Sequence, residues 1–373
     1  MVYATDVIVI GAGIVGCSIA HQLGRRGARV RVFEARAIGG GATQASAGVL
    51  APYIEAPARG PLLDLAVRGL SLYDAFVEDV RTDAGVSVEF RICGTLEVAQ
   101  DHETAERLKG IATTLRGLVG DDAIWLEASA VHDVEPRLPL DTHGALLIRR
   151  HGYVSASQLT EALTWAAMRH GVEIETRRTI VAVREMGSSL EVVTEDRARW
   201  SADYVVVAAG SWTSQLGISE PAAQVIRPVR GQLLRLAWRG EAPNRVIWGP
   251  DCYVVPWKDG SVLVGATVED VGFDERTTAA GVRDLLDAVC GLLPDAWRAT
   301  FLEARVGLRP ATSDGLPILG PSSEIRHLVF ATGHYRNGVL LAPITANLIA
   351  DGILGNGWDP TLQNFQPARF RQT

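Results

Sequence analysis

The sequence predicts an α/β chain, α+β overall. It combines a doubly wound, Rossmann-like domain assembled from separated segments with a mostly antiparallel sheet inserted in two parts. Two observations predict this. The chain opens on strand, glycine turn, helix and strand, and the same apolar strand–glycine–helix style returns near residues 155–176, 203–210 and 328–353. Between these returns lie alternating stretches at Val88 to Gln100, Gln232 to Trp238, Cys252 to Trp257 and Ser261 to Thr267, the last two separated by the turn Lys258-Asp259-Gly260.

Asp6-Val7-Ile8-Val9-Ile10 is a β-branched run suited to a parallel strand buried on both faces. Gly11 to Gly16 form a turn, Ile14 to Arg26 carry helical spacing, and Gly27 is placed to cap the helix. Arg29 to Glu34 alternate as a second strand, completing a βαβ unit. Further on, Ser155 to His170 is an amphipathic helix, Gly171 ends it, and Val172 to Thr176 is a strand. Asp203 to Gly210 and Leu328 to Gly333 are strands, the latter leading into a helix from Gly338 to Ile353. A chain of 373 residues exceeds one simple core, since domains usually run to about 100–150 residues.

Composition excludes several classes. The net charge of −7 and the scattered basic residues, of which Arg25-Arg26 is typical, argue against a nucleic-acid or anionic-membrane partner. No apolar run reaches the roughly 18–20 residues of a membrane span. Val7 to Gly16 lacks a basic flank and is interrupted by glycine, as a buried strand is and a signal peptide is not. Cys17, Cys93, Cys252 and Cys290 are widely spaced with no C-x-x-C pair, so no metal is expected, and the expected location is cytoplasmic.

The glycine pattern carries a chemistry. Gly11 permits a tight turn, Gly13 lets backbone approach a diphosphate, and Gly16 lets helix pack on sheet. The helix N-terminus at Ile14 and Val15 then binds the anion through N–H groups. Glu34, 18 residues after Gly16, stands where an acid accepts from ribose hydroxyls and would repel a 2′-phosphate. The small-residue loop from Gly39 to Gly48, with Thr43, Gln44, Ala47 and Gly48 followed by Val49, allows a long cofactor to lie close. A second strand–turn–helix, Gly333-His334-Tyr335-Arg336-Asn337-Gly338-Val339-Leu340, offers a second helix N-terminus, suited to the negative charge that a reduced flavin develops.

The residues resemble the D-amino-acid oxidase family of FAD enzymes, and within it the glycine oxidases of thiamine biosynthesis. The marks are Gly11 to Gly16 with Glu34, Ala47 to Leu50, Pro228 to Gln232, Cys252 to Pro256, Gly307 to Pro310 and Gly333 to Pro343. The resemblance implies non-covalent FAD and a division into an FAD-binding domain (1–85, 145–222, 303–373) and a substrate domain (86–144, 223–302). It implies a substrate carboxylate on Arg309 and Tyr253, with Arg336 as a second arginine serving either substrate or flavin loop. It places Val181 at the adenine, by its backbone, and Gly210 in a cofactor-contacting segment. Val268 departs from the pattern, standing where methionine is expected, so the pocket is reshaped and the substrate left open. The related sarcosine oxidases carry a flavin-linking cysteine near the position of Arg309, and none lies there in this chain.

The implied reaction is oxidation of a small amino acid or amine by hydride transfer to flavin, with oxygen as acceptor. Its products are hydrogen peroxide and an imine that hydrolyses to a 2-oxo acid and ammonia or passes to thiazole synthesis. A D-amino-acid or N-methyl-amino-acid dehydrogenase, and a non-catalytic flavin-binding protein, are the alternatives. Homo-oligomerisation stays open. His334 suits either a general base or a ring packed under the flavin loop, and packing alone accounts for Trp212.

Overall fold

A computed structural model describes residues 3–55 and 59–371. The first strand, Tyr3–Ile10, lies at the centre of a sheet, parallel to Val30–Glu34 on one side and Arg199–Val207 on the other. Glu173–Thr176 continues the sheet beyond Val30–Glu34, and Leu328–Thr332 pairs in parallel with the second half of Arg199–Val207. A hairpin, Ile180–Met186 and Ser189–Thr194, pairs antiparallel with the first half of that strand.

Burial on both faces explains the unbroken apolar run of the first strand. Val7 and Val9 pack into the core under the helices Ile14–Arg25, Ala156–Arg169 and Gly338–Ile353. Ile8 and Ile10 pack on the opposite face with Val205, Val207, Leu328 and Phe330. Side chains alternate across the pleat, so a strand covered on both sides needs apolar residues at every position.

The second sheet runs in the order Thr300–Ala311, Arg227–Ala237, Ser261–Gly265, Tyr253–Pro256, Val246–Trp248, Thr95–Ala99, Gly144–Ile148, Ala123–Glu127. All its pairings are antiparallel except that of Val246–Trp248 with Thr95–Ala99. The alternating stretch Val88 to Gln100 divides at Cys93-Gly94: Phe90–Ile92 joins a small third sheet with Val49–Leu50 and Gly152–Val154, and Thr95–Ala99 joins the second. The expected divisions at 145 and 303 fall inside two strands of the second sheet, whose ladders run unbroken from Gly144 to Ile148 and from Glu303 to Ala311. By sheet membership Gly144–Ile148 and Glu303–Ala311 go with the second sheet. Among the described residues no helix is long and apolar enough to cross a membrane.

Candidate active site

The nucleotide cleft grows out of the first turn. Gly11 has φ +106°, and a Cβ there would lie 2.5 Å from the Ala208 carbonyl oxygen. Gly16 packs as closely, since a Cβ would meet the Gly11 carbonyl oxygen at 2.0 Å. Gly13 differs: nothing in the described protein would come nearer its Cβ than Thr43 Oγ1 at 3.4 Å, because the position opens into the cleft. Two of the glycines therefore serve the fold and the third leaves room for a ligand. Glu34 Oε2 accepts from Ala12 N at 2.7 Å, and Oε1 from Arg36 N at 2.8 Å, which fixes the carboxylate at the rim.

Gly11, Gly13, Ile14, Val15, Glu34, Thr43, Val181, Gly210 and His334 all line this cleft. Trp212 lines it too, with the Arg36 guanidinium 4.2 Å from its ring centre. Ala47, Gly48, Val49 and Val339 line an adjoining cavity, and Ile14, Ala42, Thr43, Tyr335 and Gly338 are walls of both. Four expected cofactor residues line neither. Gly16 is under the turn. Gln44 turns outward and donates to the Gly40 carbonyl at 3.1 Å. Asn337 and Leu340 are buried, Leu340 in the core beneath the final helix. Thr43 has a second task, accepting from Ile14 N at 3.1 Å at the helix start.

The adjoining cavity gathers side chains from distant elements. Arg309 comes from the strand Thr300–Ala311, Tyr253 from Tyr253–Pro256, Arg336 from the turn before the final helix, and Val268 from the loop after Ser261–Gly265. Arg309 Nη1 donates to the Thr267 carbonyl at 3.0 Å and the Arg230 carbonyl at 3.3 Å. Among the described residues Arg309 forms no ion pair with a carboxylate, and burial lowers its pKa. A half-buried cation held only by neutral carbonyls favours an anionic ligand. Burial raises the pKa of Tyr253, so its phenol stays a hydrogen-bond donor; its ring rests 4.9 Å from Trp248.

Three contributors went unseen in the sequence. A Cβ on Gly231 would sit 2.3 Å from the Arg309 guanidinium, and one on Gly265 would sit 2.4 Å from the Tyr253 hydroxyl. These glycines are the floors on which the two cavity-lining groups lie. Their signal was present, since Gly231 belongs to the quoted Pro228 to Gln232 motif. Glu55, the last residue of the short helix Pro52–Glu55, also lines the cavity, 3.9 Å from Arg336 Nη1. Burial raises its pKa, opposed by the positive fields of Arg336 and Arg309.

His334 faces the cleft but packs inward, its Nε2 3.2 Å from Thr345 Oγ1. Burial lowers its pKa to about 4, so the ring is neutral near pH 7. Tyr335, at φ +50°, donates its N–H to the Pro310 carbonyl at 3.0 Å and ties this turn to the Arg309 strand. Away from both cavities, Asp83 Oδ2 lies 2.7 Å from His21 Nε2 and 3.0 Å from His170 Nε2, with Arg25 Nε at 3.9 Å. The Arg25 guanidinium reaches this cluster while hydrogen-bonded to Asp79.

The family model described as FAD dependent oxidoreductase matches residues 6–352, and the chain belongs to that family. FAD is its cofactor, and its class of activity is the FAD-dependent oxidation of amino acids. The chain is 35% identical over 355 residues to the glycine oxidase of Geobacillus kaustophilus (strain HTA426), covering 94% of this chain and 93% of that protein. It is 36% identical over 371 residues to the bifunctional protein ThiO/ThiG of Nostoc sp. (strain PCC 7120), covering 98% of this chain and 55% of that protein. The crystal structure of glycine oxidase from Geobacillus kaustophilus superposes with a TM-score of 0.92 at 32% identity, covering 98% and 99% of the two chains.

Proposed function

We propose that the chain oxidises the C–N bond of glycine or a similarly small amino acid, with the substrate carboxylate bound by Arg309 and Tyr253. The observation that carries this is the half-buried Arg309 guanidinium, without a carboxylate partner among the described residues, in a cavity that shares walls with the nucleotide cleft. The open Gly13 position fits a diphosphate, Glu34 a ribose, and the segment around Val181 an adenine. Ile14, Val15 and Gly338 present the two helix starts, and the bound FAD, held non-covalently, supplies a two-electron acceptor.

The chain's own residues then do three things. Arg309 and Tyr253 fix the carboxylate, so that the α-carbon presents one orientation. Arg336 adds positive charge to the same cavity, tempered by Glu55. Val268, 52% exposed at the cavity wall, sets the room around the substrate side chain and nitrogen. No side chain is assigned the proton transfer: hydride loss starts from the neutral amine, the ammonium proton passing to water beforehand, and His334 is hydrogen-bonded to Thr345. Molecular oxygen as the final acceptor, hydrolysis of the imine to a 2-oxo acid and ammonia, a role in thiamine thiazole synthesis and a cytoplasmic location complete the reading, on the strength of the resemblance to the glycine oxidases.

The test is anaerobic addition of glycine, N-methylglycine and D-alanine to the yellow holoenzyme, followed by air. Bleaching by one of them and recovery with peroxide formation is the expected result. A flavin that none of the three bleaches would overturn the small-amino-acid assignment. Bleaching without recovery in air would point to a dehydrogenase.

A further inference from the structure

The motif Pro228-Val229-Arg230-Gly231-Gln232 does more than provide a floor for Arg309. Its polar side chains meet the loop between the strand Ser261–Gly265 and the helix Ala279–Leu292. Arg230, 4% exposed, pairs with Glu269 and with Asp274 at 3.1 Å. Gln232 donates to Glu269 Oε1 at 2.8 Å and to Thr278 Oγ1 at 2.9 Å, and accepts from Thr278 N at 2.8 Å. Thr278 is itself the cap of that helix, accepting from Gly281 N at 3.1 Å.

Glu269 is the node. Its Oε1 accepts from Thr267 Oγ1 at 2.6 Å, and its backbone N–H donates to the Arg230 carbonyl at 3.0 Å. Thr267 and Arg230 are also the two residues whose carbonyls hold Arg309 Nη1. Both residues whose carbonyls orient the guanidinium are therefore bonded to Glu269, which lines neither cavity: its carboxylate meets the Thr267 hydroxyl and the Arg230 side chain, and its backbone pairs with Arg230, while the Gln232 backbone holds Thr267 as well, accepting from Thr267 N at 3.1 Å and donating to Thr267 Oγ1 at 2.9 Å. Between Thr267 and Glu269 stands Val268, which does face the substrate cavity. Burial alone would raise the Glu269 pKa, but hydrogen bonds from Arg230, Gln232 and Thr267 outweigh it and hold it at about 2. The node is charged throughout the neutral range.

We propose that Glu269, clamped by Arg230 and Gln232, is a positioning residue for substrate: it sets the orientation of Arg309 through the Thr267 and Arg230 carbonyls and the placement of Val268 at the pocket wall. The proposal rests on the reading that Arg309 binds the substrate carboxylate. A carboxylate site needs its guanidinium held to within a fraction of an ångström, and a small displacement weakens binding without touching the ligand-facing groups themselves.

The test uses holoenzyme and acetate, a carboxylate without the amine, with binding read from the perturbed flavin spectrum and glycine kinetics measured alongside. Arg309→Ala is the control for the underlying reading. Glu269→Ala should raise the acetate Kd about tenfold, and Glu269→Gln, which keeps an acceptor oxygen but not the charge facing Arg230, about threefold. In both, glycine KM should rise while kcat stays within about twofold, with wild-type flavin content and melting temperature in Glu269→Gln. Should Arg309→Ala lose acetate while both Glu269 variants bind it like wild type, the positioning role is overturned and the carboxylate reading survives. Loss of flavin or stability in Glu269→Gln would make the residue a structural one and equally overturn the role. Unchanged acetate binding in Arg309→Ala would remove both readings together.

Discussion

The two halves of the site are built from different materials. The nucleotide cleft is made of backbone: a turn with two glycines packed against their own fold, a third left open, and helix N–H groups at its rim. The adjoining cavity is made of side chains, carried by strands and turns far apart in sequence and laid over Gly231 and Gly265. A backbone cradle tolerates no bulk at one position and little depends on any single side chain. A side-chain cavity loses a definable increment with each group removed.

The largest expected effect breaks the first half. Gly13→Val puts a branched side chain into the open cleft, so the protein should fold and purify without flavin, as its visible spectrum would report. A retained yellow colour would contradict the diphosphate assignment. Gly16→Ala sharpens the contrast, because its Cβ would strike the Gly11 carbonyl at 2.0 Å and cost folding stability before cofactor.

Next comes the second half. Gly231→Ala leaves every ligand-facing group in place but intrudes 2.3 Å from the Arg309 guanidinium. It should raise glycine KM by roughly tenfold to a hundredfold with flavin retained. Tyr253→Phe removes one hydrogen bond, for which about fivefold to tenfold in kcat/KM is expected. An unchanged kcat/KM would remove Tyr253 from the carboxylate site.

A further effect, on folding rather than on either half of the site, concerns pH. His334 and His151 are buried and neutral, with burial lowering their pKa values to about 4 and about 3. Unfolded imidazoles titrate near 6.5, so the unfolded chain binds more protons between those values and stability falls as pH drops from about 6.5 towards 4. Each ring contributes up to about 3 kcal/mol of this loss. His334→Gln should flatten part of that slope in urea unfolding between pH 6.5 and 4; an identical slope would place the acid sensitivity elsewhere.

The difference in materials also decides what the sequence reveals. Gly11, Gly13, Gly16 and Glu34 are read from local spacing because a strand–turn–helix is a local object, and each stands where the pattern puts it. Arg309, Tyr253 and Arg336 have no local spacing in common; the family resemblance alone brings them together, and the structure places all three on one cavity. Glu55 carried no signal, being an acid at the end of a four-residue helix, recognisable only once Arg336 is seen beside it. Gln44, Asn337 and Leu340 show the converse, since a motif names neighbours in sequence while the cavity takes only those that face it.

The central claim is that one half-buried guanidinium captures the substrate while a separate backbone cradle holds the flavin. Anaerobic reduction of the Arg309→Ala holoenzyme by increasing glycine tests it most directly. The account predicts a full complement of flavin and a half-saturating glycine concentration raised at least about tenfold, the cost of losing a charge-assisted contact. Reduction at the wild-type glycine concentration and rate would contradict it.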